Sequence, residues 1–364
     1  MKNIVFTVTN ELNYDQRMIR ICNSLSEDGF NIILIGAVFN NSLALNLQKF
    51  DQKRIYCIFK KGILFYLEFN LRLFFKLLFL KTDAICCIDL DTITPVYFAG
   101  KLKRKILIYD AHEYFSQMKE VISRKNIYAF WHTVEKYFVP RFENGYTVGY
   151  SIAKEFKQLY GVNYSVIMNT PKLIENKTLP VDEKKKIIIY QGAVNHARGL
   201  ELLIPAMKEV AAELHIYGDG NIMQEIKSLI LENNLSQKVL LKEKVSPAEL
   251  SNITATGFIG INLVEHTGLN QYYSLANKFF DYIHAEIPQV TMNFPEYKKI
   301  NDEFEVAILI DDLQIISIQQ ALNKLLHDAS LYHQLRLNCI KAKQLYNWQH
   351  EEKKLKQFYH QIFE

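Results

Sequence analysis

Apolar runs of strand length alternate with helical patterns over the first half of the chain. This alternation predicts a parallel sheet with helices on both faces. Right-handed crossovers then place the carboxyl ends of all strands at one edge of the sheet. The predicted strands are residues 4–9, 31–36, 54–59, 84–88, 105–109, 146–148 and 165–168, and the predicted helices include residues 15–27 and 93–103.

The pattern stops and then restarts in the second half of the chain. Residues 169–186 contain two prolines and a charge run, which is typical of a linker or hinge. The strands predicted after it are residues 186–190, 213–217, 238–241, 257–263 and 289–292, and the helices are residues 199–210, 221–231, 247–252, 277–284 and a helical tail from residue 315. We therefore predict two Rossmann-like α/β domains, residues 1–170 and 171–345. A C-terminal helix, residues 346–364, is expected to pack back on the first domain.

Composition narrows the class of protein. A chain of 364 residues with 49% hydrophobic residues is long enough for two cores, and disorder is not expected. A net charge of only +4 argues against a dedicated nucleic-acid binder. The five cysteines include no metal-type C-x2-C pair, which predicts reduced, buried thiols in a cytoplasmic protein. The N-terminus has no signal-peptide pattern.

One segment allows contact with a membrane. Residues 58–81 are rich in Phe and Leu, and Glu68, Arg72 and Lys76 recur at helical spacing. The segment is too interrupted for a membrane span. It predicts an amphipathic helix that packs on the sheet, or that lies on an anionic bilayer at the inner face of the cell membrane through the stretch from Lys60 to Lys81. The two interpretations are compatible.

Three glycine-containing or polar loops follow strands of the second domain. The first, "YQGAVNHARG", contains Gly192 and places Arg198 at the start of a helix, where a phosphate could be gripped. The second, "YGDG", contains Gly218. Glycines in tight turns explain both loops equally well.

The third loop, residues 274–277, opens a helix with Lys278 in its first turn and Asp281 on the same face. Backbone amides and Lys278 could bind a diphosphate there, and Asp281 could accept hydrogen bonds from a ribose. The alternative is a surface ion pair between Lys278 and Asp281.

In the first domain, polar residues follow the strand in "KILIYDAHEYF". His112 could contact a ligand through its imidazole, or Asp110 could simply lock it in a turn, which is the more common arrangement. Other polar residues lie near strand ends at the same sheet edge and could also contact a ligand. These are Asn10, Arg17, Asp91 and Glu113, while Asp15 could cap the first helix and Asp89 ends the strand before Asp91.

Taken in order, these segments resemble glycosyltransferase family four. The resemblance rests on "YQG…RGLELLIPAM", "YGDG", "SLANKFFDYIHAEIPQV…FPEY" and "NWQHEEKKLKQFY", and in the first half on "VTNELNYDQRMIRICNSLSEDGFNIILIG", "IDLDTITPVYFAGKL" and "IYDAHEYF". It implies the GT-B architecture, in which two Rossmann-like domains face a central cleft. It also implies a retaining transfer of a sugar from a nucleotide diphosphate sugar to a glycan or lipid-linked acceptor, in surface polysaccharide synthesis.

The resemblance also implies roles for individual residues. Arg198 matches the basic residue that binds the donor diphosphate, and Ala193 stands where many members have an Arg, so Lys278 is expected to supply that charge. The family's Glu-x7-Glu pattern places Asp281 at the ribose and Tyr273 at the absent first Glu. The resulting donor set is Gly192, Arg198, Gly218, Ser274, Leu275, Ala276, Asn277, Lys278 and Asp281, with His112, Arg198 and Lys278 as catalytic residues. The resemblance also implies that His112 holds a hydroxyl of the donor sugar. It places Asn10, Arg17, Asp91 and Glu113 on the acceptor side.

The donor sugar nucleotide is the only small molecule implied, with no metal and no further cofactor. Base recognition is expected at residues 242–245. Glu265 and Glu296 are further candidates near the sugar. Two other functions remain open, a sugar-nucleotide epimerase and a non-catalytic partner subunit, the second because of Tyr273 and Ala193. A dinucleotide oxidoreductase is disfavoured because no G-x-G-x-x-G follows either first strand.

Overall fold

The computed structural model describes residues 1–40, 42–174, 185–243 and 245–364, and it divides the chain into two compact units. The first unit comprises Met1–Asn169 and Glu351–Glu364, and the second comprises Thr170–His350. Each unit is an α/β structure built on one parallel sheet. Two Rossmann-like domains, the fold class expected from the sequence, are therefore present.

The described part of the first unit contains seven parallel strands in the order β3-β2-β1-β4-β5-β6-β7. The strands are β1 (Asn3–Thr7), β2 (Asn31–Val38), β3 (Asp51–Tyr56), β4 (Ala84–Ile88), β5 (Ile106–Ala111), β6 (Asn144–Thr147) and β7 (Ser165–Val166). The central strand β4 is an unbroken buried run, as expected where helices cover both faces of a sheet.

Helices connect these strands. They are α1 (Gln16–Glu27), α2 (Gly62–Phe79), α3 (Ile93–Lys103), α4 (Lys119–Ile122), α5 (Lys125–Phe138) and α6 (Tyr150–Tyr160). Asp15 caps α1, as predicted, because its Oδ1 accepts a hydrogen bond from the Met18 amide at 3.1 Å. No helix in the described ranges is both long enough and apolar enough to cross a membrane.

The last helix, α15 (Trp348–Phe363), enters the core of the first unit from Glu351 onward. Its Tyr359 ring is fully buried near Phe6 and Phe30. Glu351 accepts a hydrogen bond from the Met168 amide at 2.8 Å. Residues from both ends of the sequence therefore build one core.

The second unit repeats the arrangement, with six described parallel strands in the order β10-β9-β8-β11-β12-β13. The strands are β8 (Ile187–Gln191), β9 (Glu213–Tyr217), β10 (Val239–Lys242), β11 (Ile259–Asn262), β12 (Gln289–Met292) and β13 (Ala307–Ile310). The helices are α7 (Leu200–Ala206), α8 (Met223–Glu232), α9 (Pro247–Thr256), α10 (Leu269–Tyr272), α11 (Asn277–His284), α12 (Pro295–Phe304), α13 (Ile315–His327) and α14 (Ala329–Leu345).

The sequence pattern missed α12 and β13, which complete this sheet at one edge. A signal for α12 was present, because Pro at the first helical position and Glu296 in the first turn are typical of a helix start. Residues 175–184 of the predicted linker lie outside the described residues.

Candidate functional site

A cavity of about 220 Å³ lies in the second unit where β8 ends and α11 begins. Most of the residues that the sequence assigned to the donor line it together. The lining residues are Tyr190, Gln191, Gly192, Ala193, Arg198, Leu250, Ala276, Asn277, Lys278 and Asp281. The parallel sheet explains this meeting, because the carboxyl end of a strand and the amino terminus of the following helix lie at the same edge.

Lys278 is the most unusual group in this cavity. Its side chain is only 9% exposed, and its Nζ has no hydrogen-bond partner in the described part of the chain. The Nζ lies 3.9 Å from the centre of the Tyr190 ring, a cation–π contact. The pKa of Lys278 is lowered to about 7, first by burial and then by the Arg198 charge, while Asp281 opposes both effects. The surface ion pair considered from the sequence is therefore wrong, because this ammonium group is buried.

Tyr282 fixes α11, and with it Lys278, against the sheet. Its hydroxyl lies 3.1 Å from the carbonyl oxygens of Ile189 and Ile261, on two neighbouring strands. The ring fills the space over Gly260, where a Cβ would come within 2.4 Å of it. The first turn of α11 therefore has a rigid base.

Two glycines allow the loops beside Lys278 to approach each other. A Cβ on Gly218 would lie 1.9 Å from the carbonyl oxygen of Gly192, so only glycine fits there. Gly192 itself has φ +127°, a conformation that favours glycine, and a Cβ there would lie 3.8 Å from the Lys278 Nζ. Gly218 does not line the cavity itself, so it contributes to the shape of the cavity only by allowing the Gly192 loop to come close.

Asp281 is held by a buried network that the sequence did not reveal. Gln191 Nε2 donates to Asp281 Oδ2 at 2.8 Å, and Thr254 Oγ1 donates to Gln191 Oε1 at 2.6 Å. Gln191 and Thr254 are both almost completely buried. Because the three groups lie on β8, α9 and α11, no sequence spacing points to their contact.

The loop before α11 differs in part from its predicted role. The Ala276 amide donates to Tyr297 Oη at 3.1 Å, and the Ser274 amide donates to the Gln271 carbonyl at 3.2 Å. These two amides already have partners inside the protein, so the predicted set of four ligand-binding amides is corrected for Ser274 and Ala276. Neither Ser274 nor the buried Leu275 lines the cavity, whereas Ala276 and Asn277 do.

In the first unit, Asp110 joins Arg17 and His112. Arg17 Nη2 lies 3.3 Å from Asp110 Oδ1, and His112 Nε2 lies 2.9 Å from Asp110 Oδ2. Burial alone would raise the pKa of Asp110, but the charges of His112 and Arg17 hold it below its usual value. Burial lowers the pKa of His112, but the Asp110 charge and hydrogen bond outweigh it, so the net shift is upward. Asp110 thus orients His112, the contact that the turn-lock interpretation predicted.

Arg17, which the sequence predicts on the acceptor side, is almost completely buried in the first unit. It is 5% exposed, and its Nη1 donates to the Ile167 carbonyl at 3.1 Å while Nη2 contacts Asp110. Its guanidinium therefore positions Asp110, and its contact with an acceptor stays a prediction.

Asp89 organises the turn that carries His112 and Glu113. Its Oδ1 accepts hydrogen bonds from the His112 amide at 2.9 Å and the Glu113 amide at 3.2 Å, while its backbone adopts φ +53°. Burial raises the pKa of Asp89 to about 8. A non-glycine residue at such φ stores strain that often accompanies function.

The remaining acceptor-side candidates have different surroundings. Asp91 accepts a hydrogen bond from the Thr9 hydroxyl, and burial raises the pKa of Asp91 to about 6. Asn10 is exposed and donates to Asp15 Oδ2 at 3.0 Å. Glu113 is exposed beside the His112 turn.

Three further predicted or possible ligands lie elsewhere in the second unit. Glu296 is 2% exposed in the first turn of α12, and Glu265 is half-buried. His196, Glu201 and Glu225 form a group whose ligand atoms lie within 4.8 Å of one another, the one such group in the described ranges. Within the predicted base-recognition loop, residue 244 lies outside the described residues.

Comparison with known proteins places this site in context. Residues 172–344 match the family model "Glycosyl transferases group 1". No curated protein sequence gives a significant match to the chain.

Several solved structures share the whole fold at low identity. Sucrose-phosphate synthase from Thermosynechococcus elongatus has a TM-score of 0.80 at 14% identity, over 100% of this chain and 99% of its own. HepE of Anabaena, in complex with UDP, has a TM-score of 0.78 at 12% identity, over 99% and 100%. A TarM mutant of S. aureus, in complex with fondaparinux, alpha-GlcNAc-glycerol and UDP, has a TM-score of 0.72 at 11% identity, over 100% of both chains. The whole chain therefore has the GT-B fold, and most of its second unit matches group 1 glycosyltransferases.

Proposed function

We propose that this protein is a glycosyltransferase that moves a sugar from a nucleotide diphosphate sugar to a hydroxyl acceptor. The observation that carries the proposal is the buried Lys278 ammonium, which has no hydrogen-bond partner among the described residues and lies in a cavity with Arg198. Two cations next to a helix amino terminus attract a polyvalent anion. The group 1 glycosyltransferase match over residues 172–344 makes a diphosphate the natural anion.

Arg198 and Lys278 would stabilise the leaving group. When the glycosidic bond breaks, negative charge develops on the departing diphosphate, and preorganised cations in a site of low dielectric lower the barrier. Burial lowers the pKa of Lys278. The negative charge of a bound diphosphate would raise this pKa again, so Lys278 would be charged in the complex. Binding and leaving-group stabilisation would thus use the same two side chains.

Asp281 would bind the ribose hydroxyls of the donor. It lines the same cavity as Lys278, one helical turn deeper in α11, and Gln191 holds one of its oxygens. A carboxylate fixed in this way can accept hydrogen bonds from neighbouring hydroxyls without losing side-chain freedom on binding.

His112 would hold a hydroxyl of the transferred sugar. With Asp110 accepting from Nε2, the nitrogen left for a ligand is Nδ1. Asp110, itself fixed by Arg17, sets the tautomer and the ring orientation, as a carboxylate does for many active-site histidines.

The finer assignments belong to the same proposal. We infer retention at the anomeric carbon, no need for a metal, and a glycan or lipid-linked acceptor in surface polysaccharide synthesis. HepE in complex with UDP-glucose and TarM in complex with UDP support a nucleotide-sugar donor by analogy of fold. Arg198 and Lys278 supply the charge that a metal would otherwise provide.

The test is a thermal-shift panel of nucleoside diphosphates and nucleotide sugars, with and without EDTA. A ligand that binds only the folded state raises the unfolding midpoint. We expect a shift with one nucleotide, unchanged by EDTA and strongly reduced in Arg198→Met and Lys278→Met. Lys298→Met removes a surface lysine paired with Asp302 and is the matched control.

Absence of a shift with every nucleotide would overturn the donor-site assignment and favour a non-catalytic partner subunit. A shift that EDTA removes would contradict metal independence. Conversion of the bound nucleotide sugar into an epimer without acceptor would identify an epimerase instead.

A further inference from the structure

Helix α2 has two apolar rows, and only one of them is buried. Phe65, Phe69, Leu73 and Leu77 repeat every four residues and pack into the first unit. The second row repeats with the same spacing on the outside and is 52% to 87% exposed. We call this second row the outer row of α2, and it consists of Ile63, Leu67, Leu71, Phe75 and Phe79. An ordinary sheet-covering helix has polar residues on that side.

The apolar surface continues onto the neighbouring helix. Helix α3 packs against α2, and its Phe98 and Leu102 are 47% and 69% exposed. Single exposed apolar residues are common, but a contiguous group of this kind usually marks an interaction site.

Positive charge is concentrated in these same two segments. Residues 58–81 and 93–105 contain nine Lys and Arg and one acid, Glu68, so their formal charge is +8. The whole chain has a formal charge of +4, which leaves −4 for all other residues. Glu68 is itself paired with Arg72 at 2.8 Å. Within these two segments, the charged residues that accompany the apolar surface are therefore almost all cations.

A basic pocket lies at the end of α3. This pocket has a volume of about 380 Å³, and Lys101, Arg104, Lys105 and Arg141 line it together with Glu143. Lys103, also on α3, joins this helix to the end of α2, because its Nζ donates to the Leu77 carbonyl at 2.9 Å and to the Leu80 carbonyl just after α2. The last turns of α2 and α3 are thus held together, and the basic pocket lies at this end of α3.

We propose that the outer row of α2 inserts into the headgroup region of an anionic lipid bilayer, and that the basic pocket binds lipid phosphates beside it. The apolar side chains match the acyl-chain boundary of such a bilayer, and the Lys and Arg side chains match its anionic headgroups. Lys60, Lys61, Lys76 and Lys81 have stems long enough to keep their charges at the headgroups while the helix lies lower. Pairing with a second copy through the same surface would bring +8 against +8, which disfavours a symmetric dimer.

The proposal is tested by sedimentation with vesicles of phosphatidylcholine alone, and of phosphatidylcholine mixed equally with phosphatidylglycerol. We expect the full chain to bind only the anionic vesicles, and added salt to weaken binding. The triple variant Leu67→Gln, Leu71→Gln, Phe75→Gln is expected to lose at least about tenfold in affinity. The double variant Lys101→Gln, Lys105→Gln is expected to lose about fivefold per lysine.

Matched controls come from exposed residues elsewhere. Leu159→Gln, Leu231→Gln and Leu337→Gln together replace three helical leucines that are 53% to 67% exposed, and Lys227→Gln with Lys353→Gln removes two exposed lysines. Both control variants should bind vesicles like the unmodified chain, and circular dichroism should show that all variants are folded.

Failure to bind anionic vesicles, or equal loss in the control variants, would overturn the proposal. A chain that ignores vesicles but dissociates from a dimer to a monomer on the triple Leu/Phe substitution would identify a second copy as the partner instead. The readout is independent of nucleotide binding, so it can fail or succeed separately from the proposed function.

Discussion

At the residue scale, Lys278 combines burial with the lack of an ion-pair partner among the described residues. Desolvation, the Arg198 charge and the weaker opposing effect of Asp281 bring its pKa to about 7. Near neutral pH the free protein therefore holds this side chain about half charged and half neutral. A bound diphosphate would favour the charged form, so binding above pH 7 must take up a proton.

We therefore predict that affinity for the nucleotide sugar falls as pH rises above 7, by at least about tenfold between pH 7 and pH 9. Below pH 7 the ammonium is already charged and affinity should be nearly constant. A nucleotide sugar is the proper ligand, because a free terminal phosphate has a second pKa near 6 that would add its own pH dependence. Calorimetric titration across this range gives the dissociation constants.

Lys278→Met is the control for this pH dependence. It should bind more weakly than the unmodified chain at pH 7, with little further loss up to pH 9, because the titrating group is gone. The same decline in both proteins would show that another group is responsible.

At the scale of elements, the end of β5 depends on Asp110. This fully buried carboxylate contacts Arg17 on α1 and His112 in the following turn. Asp110→Asn would leave the Arg17 guanidinium buried without its counter-charge, which typically costs about 3–5 kcal/mol. We expect urea unfolding to show a loss of that size, whereas Asp302→Asn, in an exposed pair with Lys298, should cost less than about 1 kcal/mol.

The same substitution has a second readout at His112. Burial lowers the pKa of this histidine and Asp110 raises it, so removal of the carboxylate charge should lower the pKa. An NMR titration, with the His112 signal assigned by its loss in His112→Gln, measures this directly. An unchanged pKa together with unchanged stability would show that Asp110 does not control this turn.

Elements that repeat a local pattern could be predicted from the sequence. The span 277–284 agrees with α11 as observed, because its apolar residues follow a helical period. The span 84–88 agrees with β4, because a short continuous apolar run lies between polar residues. Contacts across the sequence could not be predicted. Gln191 and Asp281 are 90 residues apart, and Arg17 and Asp110 are 93 apart, so neither their pairing nor their burial appears in any local pattern. Tyr297, whose hydroxyl accepts a hydrogen bond from the Ala276 amide, likewise lies on α12, a helix that the sequence pattern did not predict.

At the scale of the whole molecule, the first unit is discontinuous in sequence. The chain leaves it at Asn169 and returns at Glu351, and α15 then fills part of its core. Leu355 and Tyr359 are fully buried there, and Tyr359 Oη lies 3.3 Å from Tyr146 Oη on β6. Folding of this unit therefore requires the last residues of the chain, and the loop-closure cost of bringing them back grows only slowly with the intervening length.

Substitution of Tyr359 tests this dependence. Tyr359→Ala removes a buried ring that contacts Phe6 and Phe30, and should destabilise the first unit by about 3–5 kcal/mol. Tyr359→Phe loses only the hydroxyl contact and should cost about 1 kcal/mol. Phe75→Ala, which truncates a half-exposed ring in the same unit, should cost less than about 1 kcal/mol.

Native-state hydrogen exchange separates the two units in this experiment. Tyr359→Ala should accelerate exchange of amides in β1, β4 and β5, because their protection depends on the stability of the first unit. Amides in β8 and β11 belong to the second sheet and should keep their protection. Equal acceleration in both sheets would show that the units unfold together, and no acceleration in β1 would show that the last helix does not support the first core.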